Sequence, residues 1–532
     1  MNYTSHNNNL FYNYGLANVL YYMRNIKNKN IKFEDLTFSN ILEAAKYFYE
    51  KFTTIKSNPG SKTISNKEGI IRFKYGKVEP KQKDESGKII KLGNIYMPAN
   101  LIYEDKAEKD LIRIGESIIN KSISEEDVVP LTKSCFPLAG KYLFANYTTQ
   151  KNTSITSSEF LCYFITTITP LKPSFILIEK DPQTKQPSFN RTAIIPDFSK
   201  EDMYEWIRCF SYSFNSFYNS NNIDYKSKNG KSINPTINGN YYCSGKFKST
   251  FLRELYLLSD LYEILKNNEI ELSKLYDLLL DKNKKNVVFY TFNRKTCYVH
   301  KYSHHIVNLS KQEILKPALD SFSGCFLRYY LDKNNLLQVD DWDIFNLSKE
   351  IFERDVYNFL LRLDDDSLRK LNSKRITFQK ETESIFKYYY KTIKNMKKEE
   401  IESASEIAGS IRTRYRAMLY SEFKKQIQNE NELHKKVDSE LSKYIDEFAS
   451  YADKRVSPTD FVKMFHRFCR DSKTATFSIK NMSFINSVLE NKIELQDAKN
   501  ILISMLRISS VKKSEKTAEE GEEDAILSPL TK

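Results

Sequence analysis

From about residue 375 onward the chain carries helical periodicity with almost no strand signal, and this constrains its fold more than any other feature. Amphipathic segments follow one another at about 381–395, 404–429, 433–453, 458–470, 480–490 and 494–507. A segment with apolar residues every three to four positions must bury one stripe, and several in succession bury theirs against each other. One start is sharply marked: Ser457 is a capping residue, Pro458 suits the first helical position, and Asp460 adds an acid to the first turn before "FVKMFHRF". The expectation for residues 376–510 is therefore an all-α C-terminal helical bundle.

Residues 1–375 read as mixed. Helical spacing occurs at 10–26, 39–54, 201–218 and 247–265, and "GIIRFKYGKVEP" with "KIIKLGNIYMP" predicts a β-hairpin. Further strands are predicted at "PSFILIEKD", "RTAIIPD", "NVVFYTFN" and "TCYVHKYS", which makes this part an α+β N-terminal large domain. A chain of 532 residues exceeds what one core supports, so two or more domains are expected. The tail, 511–532, holds four basic and six acidic residues and few apolar ones, and is predicted to be disordered.

Charge says more about partners than about fold. Lys and Arg number 82 against 68 Asp and Glu, a net charge of +14, of which +13 falls in residues 1–395. The N-terminal part thus carries most of the attraction for a polyanion. Thirty-five Tyr and 34 Phe add rings that stack on bases where they are exposed, although most such rings belong to cores. The seven cysteines are scattered and never form C-x-x-C, which predicts reduced thiols in a cytoplasmic protein. No apolar run approaches the length that spans a membrane.

The stretch "NGKSINPTINGNYYCSGKFKST", 229–250, resembles a phosphate-binding loop in composition. A P-loop requires G-x-x-x-x-G-K-[ST], but Tyr225 stands where the first glycine belongs, and in "CSGKFKST" Phe247 and Lys248 separate the parts. The stretch reads instead as a recognition loop: glycine lets backbone approach a ligand, lysine contacts phosphate, and asparagine reads base edges. Its candidate nucleic-acid-binding residues are Lys228, Gly230, Lys231, Asn238, Gly239, Asn240, Lys246 and Lys248, the alternative being a plain surface loop between two helices. Arg412, Arg414 and Arg416 in "SIRTRYRAM" form a second basic feature; helical spacing spreads them over more than one face, for phosphate contact or for solvation.

Catalytic constellations do not assemble. Cys297, His300, His304 and His305 would offer metal ligands on a helix. The surrounding residues read as a strand, which holds His300 and His304 about 13 Å apart, so exposed or nucleic-acid-facing histidines are expected and no metal site. Asp340, Asp341 and Asp343 in "VDDWD", and Asp364, Asp365 and Asp366 in "RLDDDS", are acidic clusters; the second reads as a helix start, where carboxylates complement the dipole. No catalytic residue and no cofactor are predicted.

The opening "NNLFYNYGLANVLYYM" resembles the start of the large subunit of the type I-B CRISPR Cascade complex, with Asn9, Phe11, Gly15, Leu16 and Ala17 in matching places. The segment "KSCFPLAGKYLFANYTTQKNTSITSSEFLCYFI" is similar to that family's central segment, and the helical ending matches its small-subunit-like bundle. The family's paired cysteines are absent: Cys135 and Cys162 stand singly, so its zinc site is not carried to this chain. The resemblance implies a non-catalytic subunit that reads a protospacer-adjacent motif in duplex target DNA, assists R-loop formation and recruits a helicase-nuclease. It implies as partners a CRISPR RNA and the backbone, handle-capping and small subunits of the complex. Two other readings stand beside it: a metal-dependent nucleic-acid-processing enzyme using Asp340, Asp341 or the histidine cluster, and a stand-alone RNA-binding scaffold.

Overall fold

A computed structural model describes residues 10–56, 63–65, 71–78, 93–98, 117, 123–131, 153–171, 174–180, 187–220, 223–228, 232–237, 240–241, 250–266, 268–281, 286–292, 297–334, 342–373, 376–471 and 482–508. By its internal contacts the chain divides into two compact units, Met1–Gly245 with Leu257–Val307, and Lys246–Tyr256 with Asn308–Lys532. The acidic tail expected at 511–532 lies outside the described residues.

The first unit begins with α1 (Leu10–Tyr21), which runs into a π-helical turn at Tyr22–Ile26, followed by α2 (Phe38–Phe52). Thr37 caps α2 by accepting from the Asn40 N–H, satisfying a donor that the first helical turn leaves without a partner. Strands β1 (Thr54–Lys56), β2 (Thr63–Ser65), β3 (Ile71–Val78) and β4 (Gly93–Pro98) form an antiparallel sheet in the order β1-β4-β3-β2. The predicted hairpin is the β3–β4 pair; its register shifts between Lys74 and Gly76, and glycine suits such a bulge.

Strands β5 (Val128–Leu131) and β6 (Thr153–Thr156) pair and lead into α3 (Ser157–Ile168). "TSSE" is a capping box: the Glu159 N–H donates to Thr156 Oγ1 at 3.3 Å, and the Thr156 N–H donates to the Glu159 carboxylate at 3.0 Å. Helices α1, α2 and α3 close one core, with Val19, Met23, Phe48, Cys162 and Phe164 all buried. At Gly15 the helices pass so closely that a Cβ would lie 2.0 Å from the Cys162 carbonyl oxygen. Only a residue without a side chain permits that approach.

Strands β7 (Ser174–Lys180) and β8 (Pro187–Pro196) precede α4 (Lys200–Ser220), β9 (Ile223–Lys228), β10 (Ser232–Ile237), β11 (Asn240–Tyr241), α5 (Thr250–Leu265) and α6 (Glu269–Leu279). Strands β12 (Asn286–Phe292) and β13 (Cys297–Ser303) then complete a second antiparallel sheet, ordered β13-β12-β8-β7. Trp206 of α4 is fully buried, its ring 5.9 Å from Phe198, 4.7 Å from Phe210 and 6.3 Å from Phe289 of β12. This aromatic cluster seats α4 on the sheet, because large rings bury the most apolar area per residue. The Arg208 guanidinium forks onto Glu271 of α6 at 2.7 and 2.9 Å, a planar match of two donors to two acceptors.

Among the described residues the last strand ends at Ser303, where the predicted "TCYVHKYS" ends, and helices follow from there rather than from about residue 375. They are α7 (His304–Lys311), α8 (Leu315–Asn334), α9 (Trp342–Arg362), α10 (Asp365–Ser373), α11 (Glu383–Tyr388, continued by a π-helical turn at Tyr389–Ile393), α12 (Lys398–Phe423), α13 (Glu430–Asp453), α14 (Pro458–Asp471), α15 (Met482–Leu489) and α16 (Leu495–Leu506). The predicted cap holds, with the Asp460 N–H donating to Ser457 Oγ at 3.1 Å.

Helix α12 packs against α13, α15 and α16, and α16 also packs against α10, α11 and α13. Surrounded in this way, every residue of α16 from Asp497 to Leu506 is buried. The ends of the region meet: the Phe378 N–H donates to the Arg507 carbonyl at 2.7 Å, and Phe378 bridges Ile508 in parallel. No helix among the described residues is long and apolar enough to cross a membrane.

Candidate nucleic-acid interface

Residues 232–237 and 240–241 of the lysine- and asparagine-rich stretch are strands rather than the loop that its composition suggests. Strands β9, β10 and β11 form a three-stranded antiparallel meander in the order β11-β10-β9. The β9–β10 register sets Lys228 opposite Ser232, Lys226 opposite Asn234, Tyr225 opposite Pro235 and Ile223 opposite Ile237. Strand β11 pairs Asn240 with Ile237 and Tyr241 with Thr236.

Residues opposite one another in an antiparallel pair share a face, and neighbours along a strand alternate between faces. One face of the meander therefore takes Lys226, Lys228, Ser232, Asn234 and Thr236, with Asp224 at its far end. The other takes Ile223, Tyr225, Ile233, Pro235 and Ile237. Of the candidates, Lys228 falls on the polar face, whereas Asn240, opposite Ile237, falls on the apolar one. Gly230, Lys231, Asn238, Gly239, Lys246 and Lys248 lie outside the described residues.

A signal for this meander was available. Only Asn238 and Gly239 separate Ile237 from Asn240, and Asn-Gly between two strands is the strongest short hairpin signal. Lys226, which the pairing sets beside Lys228 on the polar face, was missed for the same reason.

The three arginines of α12 part company. Arg412 is buried at 3% exposure and donates from Nη1 to the Leu506 carbonyl of α16 at 2.6 Å. Burial lowers its pKa to about 10, since charge is disfavoured away from water. The guanidinium closes the C-terminal end of α16 and does not reach solvent, so it is not placed to meet a phosphate. Arg414 is exposed, and Arg416 pairs with Asp438 of α13 at 3.2 Å. The arginines do not form one patch.

The histidine cluster is divided by secondary structure. Cys297 and His300 lie on β13, while His304 and His305 open α7. His300 is buried, its ring stacked 5.7 Å from Tyr302, and is not the exposed histidine that the strand reading suggests. The three aspartates of "LDDDS" turn to separate partners. Asp364 caps α10 by accepting from the Ser367 N–H at 2.8 Å, Asp365 accepts from Tyr389 and Lys394 at 2.8 and 2.6 Å, and Asp366 pairs with Arg369 at 2.9 Å. Asp340 and Asp341 lie outside the described residues. Among the described residues no three His, Cys, Asp or Glu side chains converge as metal ligands.

The cysteines of the described core are thiols held from water. Cys162 is buried beside Gly15, and its thiol pKa is raised, first by desolvation and then by the Glu159 charge. Cys209 lies 3.0 Å from the Glu271 carboxylate, which with burial likewise raises its pKa. A thiol held protonated is a poor nucleophile and a poor metal ligand. Of the residues quoted for the family resemblance, Phe11, Gly15 and Ala17 serve packing: Phe11 is buried and its carbonyl accepts from Thr166 Oγ1 of α3 at 2.6 Å, Ala17 is fully buried, and Gly15 is the point of closest approach, while Asn9 and Cys135 lie outside the described residues.

No curated protein matches the chain. The family described as CRISPR-associated protein Csp2 matches it over residues 10–509, a span that takes in the α1–α3 core, the meander and the C-terminal helices. The chain therefore belongs to the CRISPR-associated protein Csp2 family.

Proposed function

We propose that this protein is the non-catalytic large subunit of a type I-B CRISPR RNA-guided surveillance complex in the cytoplasm. In this role it recognises a protospacer-adjacent motif in duplex target DNA, assists R-loop formation and recruits a helicase-nuclease. The observation that carries the reading is the family match across both the basic N-terminal part and the helical C-terminal part of one chain. A subunit of this kind needs surfaces rather than an active site: sequence along the target is read by base pairing, and protein reads only the short motif.

Division of labour follows the charge. Residues 1–375, which with the next twenty carry +13 of the net +14, form the body that meets duplex DNA, and the meander β9–β11 supplies the contact. The helices of 376–510 act as a small-subunit-like element along the displaced strand, with Arg414 among its phosphate contacts. The partners are a CRISPR RNA, the backbone, handle-capping and small subunits, and the helicase-nuclease.

The helical element is also proposed as a separate translation product. A start at Met396 keeps the whole of α12, whereas a start at Met418 leaves only its last six residues and removes most of the helix against which α13, α15 and α16 pack. Met396 is the favoured start, and a gel of the expressed operon showing full-length chain alone would exclude it.

The test is expression with the neighbouring CRISPR genes. Co-purification with a CRISPR RNA and repeated backbone subunits, and duplex binding that depends on a short motif, are the expected results. Magnesium- or manganese-dependent nuclease activity abolished by Asp341→Ala would replace this reading with the enzyme one. Tight binding to structured RNA without companion subunits would replace it with the scaffold.

A further inference from the structure

We infer that the outer face of α14, with Tyr451 of α13 at its margin, is a contact for single-stranded nucleic acid, in which Lys463 and Arg467 take phosphates and the Tyr451 ring stacks on a base. The inference rests on the functional reading above and deepens it by naming the residues through which the C-terminal helices meet an unpaired strand.

Helix α14 is divided along its length. Phe461, Val462, Met464, Phe465 and Phe468 are buried. Lys463, His466 and Arg467 are exposed and, three and four positions apart, share the opposite side of the helix. Cations on the neighbouring helices are answered by carboxylates: Lys398 by Glu402, Arg416 by Asp438, and Lys436 and Lys443 by Glu440. Among the described residues, Lys463 and Arg467 form no ion pair. Asp460, at the start of the helix, is engaged by Ser457, whose hydroxyl donates to its carboxylate at 2.8 Å. The outer face is therefore left with positive charge that attracts a polyanion.

A second feature separates this face from an ordinary solvated one. Tyr451 is 41% exposed, its ring 5.7 Å from Phe468 of α14, and the Lys454 ammonium lies over it at 5.6 Å. Val456, in the turn that joins the two helices, is 88% exposed. The mounting is rigid: the Tyr444 hydroxyl donates to the Phe468 carbonyl at 3.0 Å, and the Phe468 ring lies 5.3 Å from Phe448, so α13 and α14 hold ring and cations in fixed relation. Free cations beside a presented ring suit an unpaired strand, whose bases offer open faces for stacking while its phosphates run alongside. A duplex keeps those faces inside its own stack, and so leaves the ring without a partner.

The test uses the full chain with oligothymidine, a strand containing 2-aminopurine, and a duplex of the same length. The expected result is tighter binding of the strand than of the duplex, with 2-aminopurine fluorescence quenched on binding. Lys463→Ala with Arg467→Ala should weaken strand binding about tenfold and reduce the salt slope by about 1.4, two phosphates' worth for a single strand. Tyr451→Leu, which keeps an apolar group against Phe468, should abolish the quenching and cost about fivefold or more in affinity, whereas Tyr451→Phe should retain both. Thermal melts of each variant show that the fold is kept.

Failure of the unaltered chain to bind oligothymidine at low salt, or unchanged affinity in the Lys463 and Arg467 double variant, would overturn the proposal. Full affinity and quenching in Tyr451→Leu would overturn the stacking assignment and with it the choice of a single strand. A complex that still captures its motif-bearing duplex would in those cases keep the functional reading. Absence of motif dependence in the unaltered complex would instead overturn that reading, while the oligothymidine measurement on the chain alone decides the α14 face.

Discussion

Gly15 of α1 lies against the backbone of Cys162 in α3, so closely that a Cβ on residue 15 would sit 2.0 Å from the Cys162 carbonyl oxygen. The contact joins the two stretches of sequence that carry the family resemblance, 147 residues apart, into a single packing event.

Gly15→Ala tests that contact by the sign of its effect. In an open helix the change adds about 1 kcal/mol of stability through helix propensity. Here it should destabilise by about 3 kcal/mol, because backbone atoms cannot give way as a side chain can. Denaturant unfolding checks the sign, and Cys162→Ala in the same chain should give no rescue, since the clash is with the carbonyl and not with the thiol.

Arg412 and Arg414 are two residues apart and should behave as different kinds of residue. Arg412→Ala leaves the Leu506 carbonyl without its donor and opens space inside the C-terminal helices, for a loss of about 2 to 4 kcal/mol. Arg414→Ala, at an exposed position, should change stability by no more than about 0.5 kcal/mol while lowering the affinity of the complex for single-stranded DNA at low salt. Thermal unfolding and a salt titration separate the two outcomes.

Glu383 sets an acid limit on the second unit. Burial would raise its pKa, but hydrogen bonds from Lys380, Lys387 and Ser405 prevail and bring it from 4.5 down to about 2. A carboxylate with a depressed folded-state pKa stabilises the fold above its unfolded value and loses that contribution as pH falls from about 4.5 toward 2. Screening of the part-exposed lysines brings the expected contribution to about 1 to 2 kcal/mol. Glu383→Gln should flatten the stability profile across that window and leave its shape above pH 6 unchanged, as measured by urea midpoints against pH.

Ser457→Ala removes the acceptor for the Asp460 N–H at the start of α14. The expected loss is about 1 kcal/mol, and Ser457→Asp, which restores an acceptor, should recover most of it. Equilibrium unfolding of the full chain measures both.

Elements with strong local signals stand close to where the sequence puts them. The β3–β4 hairpin, α13 at Glu430–Asp453, the Ser457 cap and the π-extended α1 all follow from periodicity and capping chemistry within a few residues. Helix α3 is harder to read because it is buried on nearly all sides, so "SSEFLCYFITTI" has no polar stripe to betray its period. The meander was hidden differently: its glycines, lysines and asparagines weigh toward a loop, and the Asn-Gly signal says strand only when the alternation on both sides is counted.

The candidate site divides in the same way. Composition alone marked the 229–250 stretch as the place where cations and amide side chains gather, and the P-loop was excluded by spacing, since Tyr225 stands where glycine is required. Pairing then decided which residues belong together, setting Lys226 beside Lys228 and moving Asn240 to the other face. Strand register is a relation between segments, and no single segment contains it.

What the sequence determined by itself is the set of local elements and the sign of the charge, because capping, periodicity and composition are properties of neighbours in the chain. Tertiary structure alone decided the fate of individual polar residues. Arg412 is buried because α16, 94 residues away, ends against it; Asp497, Lys499, Asn500 and Ser504 are buried because helices surround α16 on every side. Burial depends on which distant segment arrives, and the free energy of a charge or an amide depends on burial and partner far more than on its neighbours in sequence.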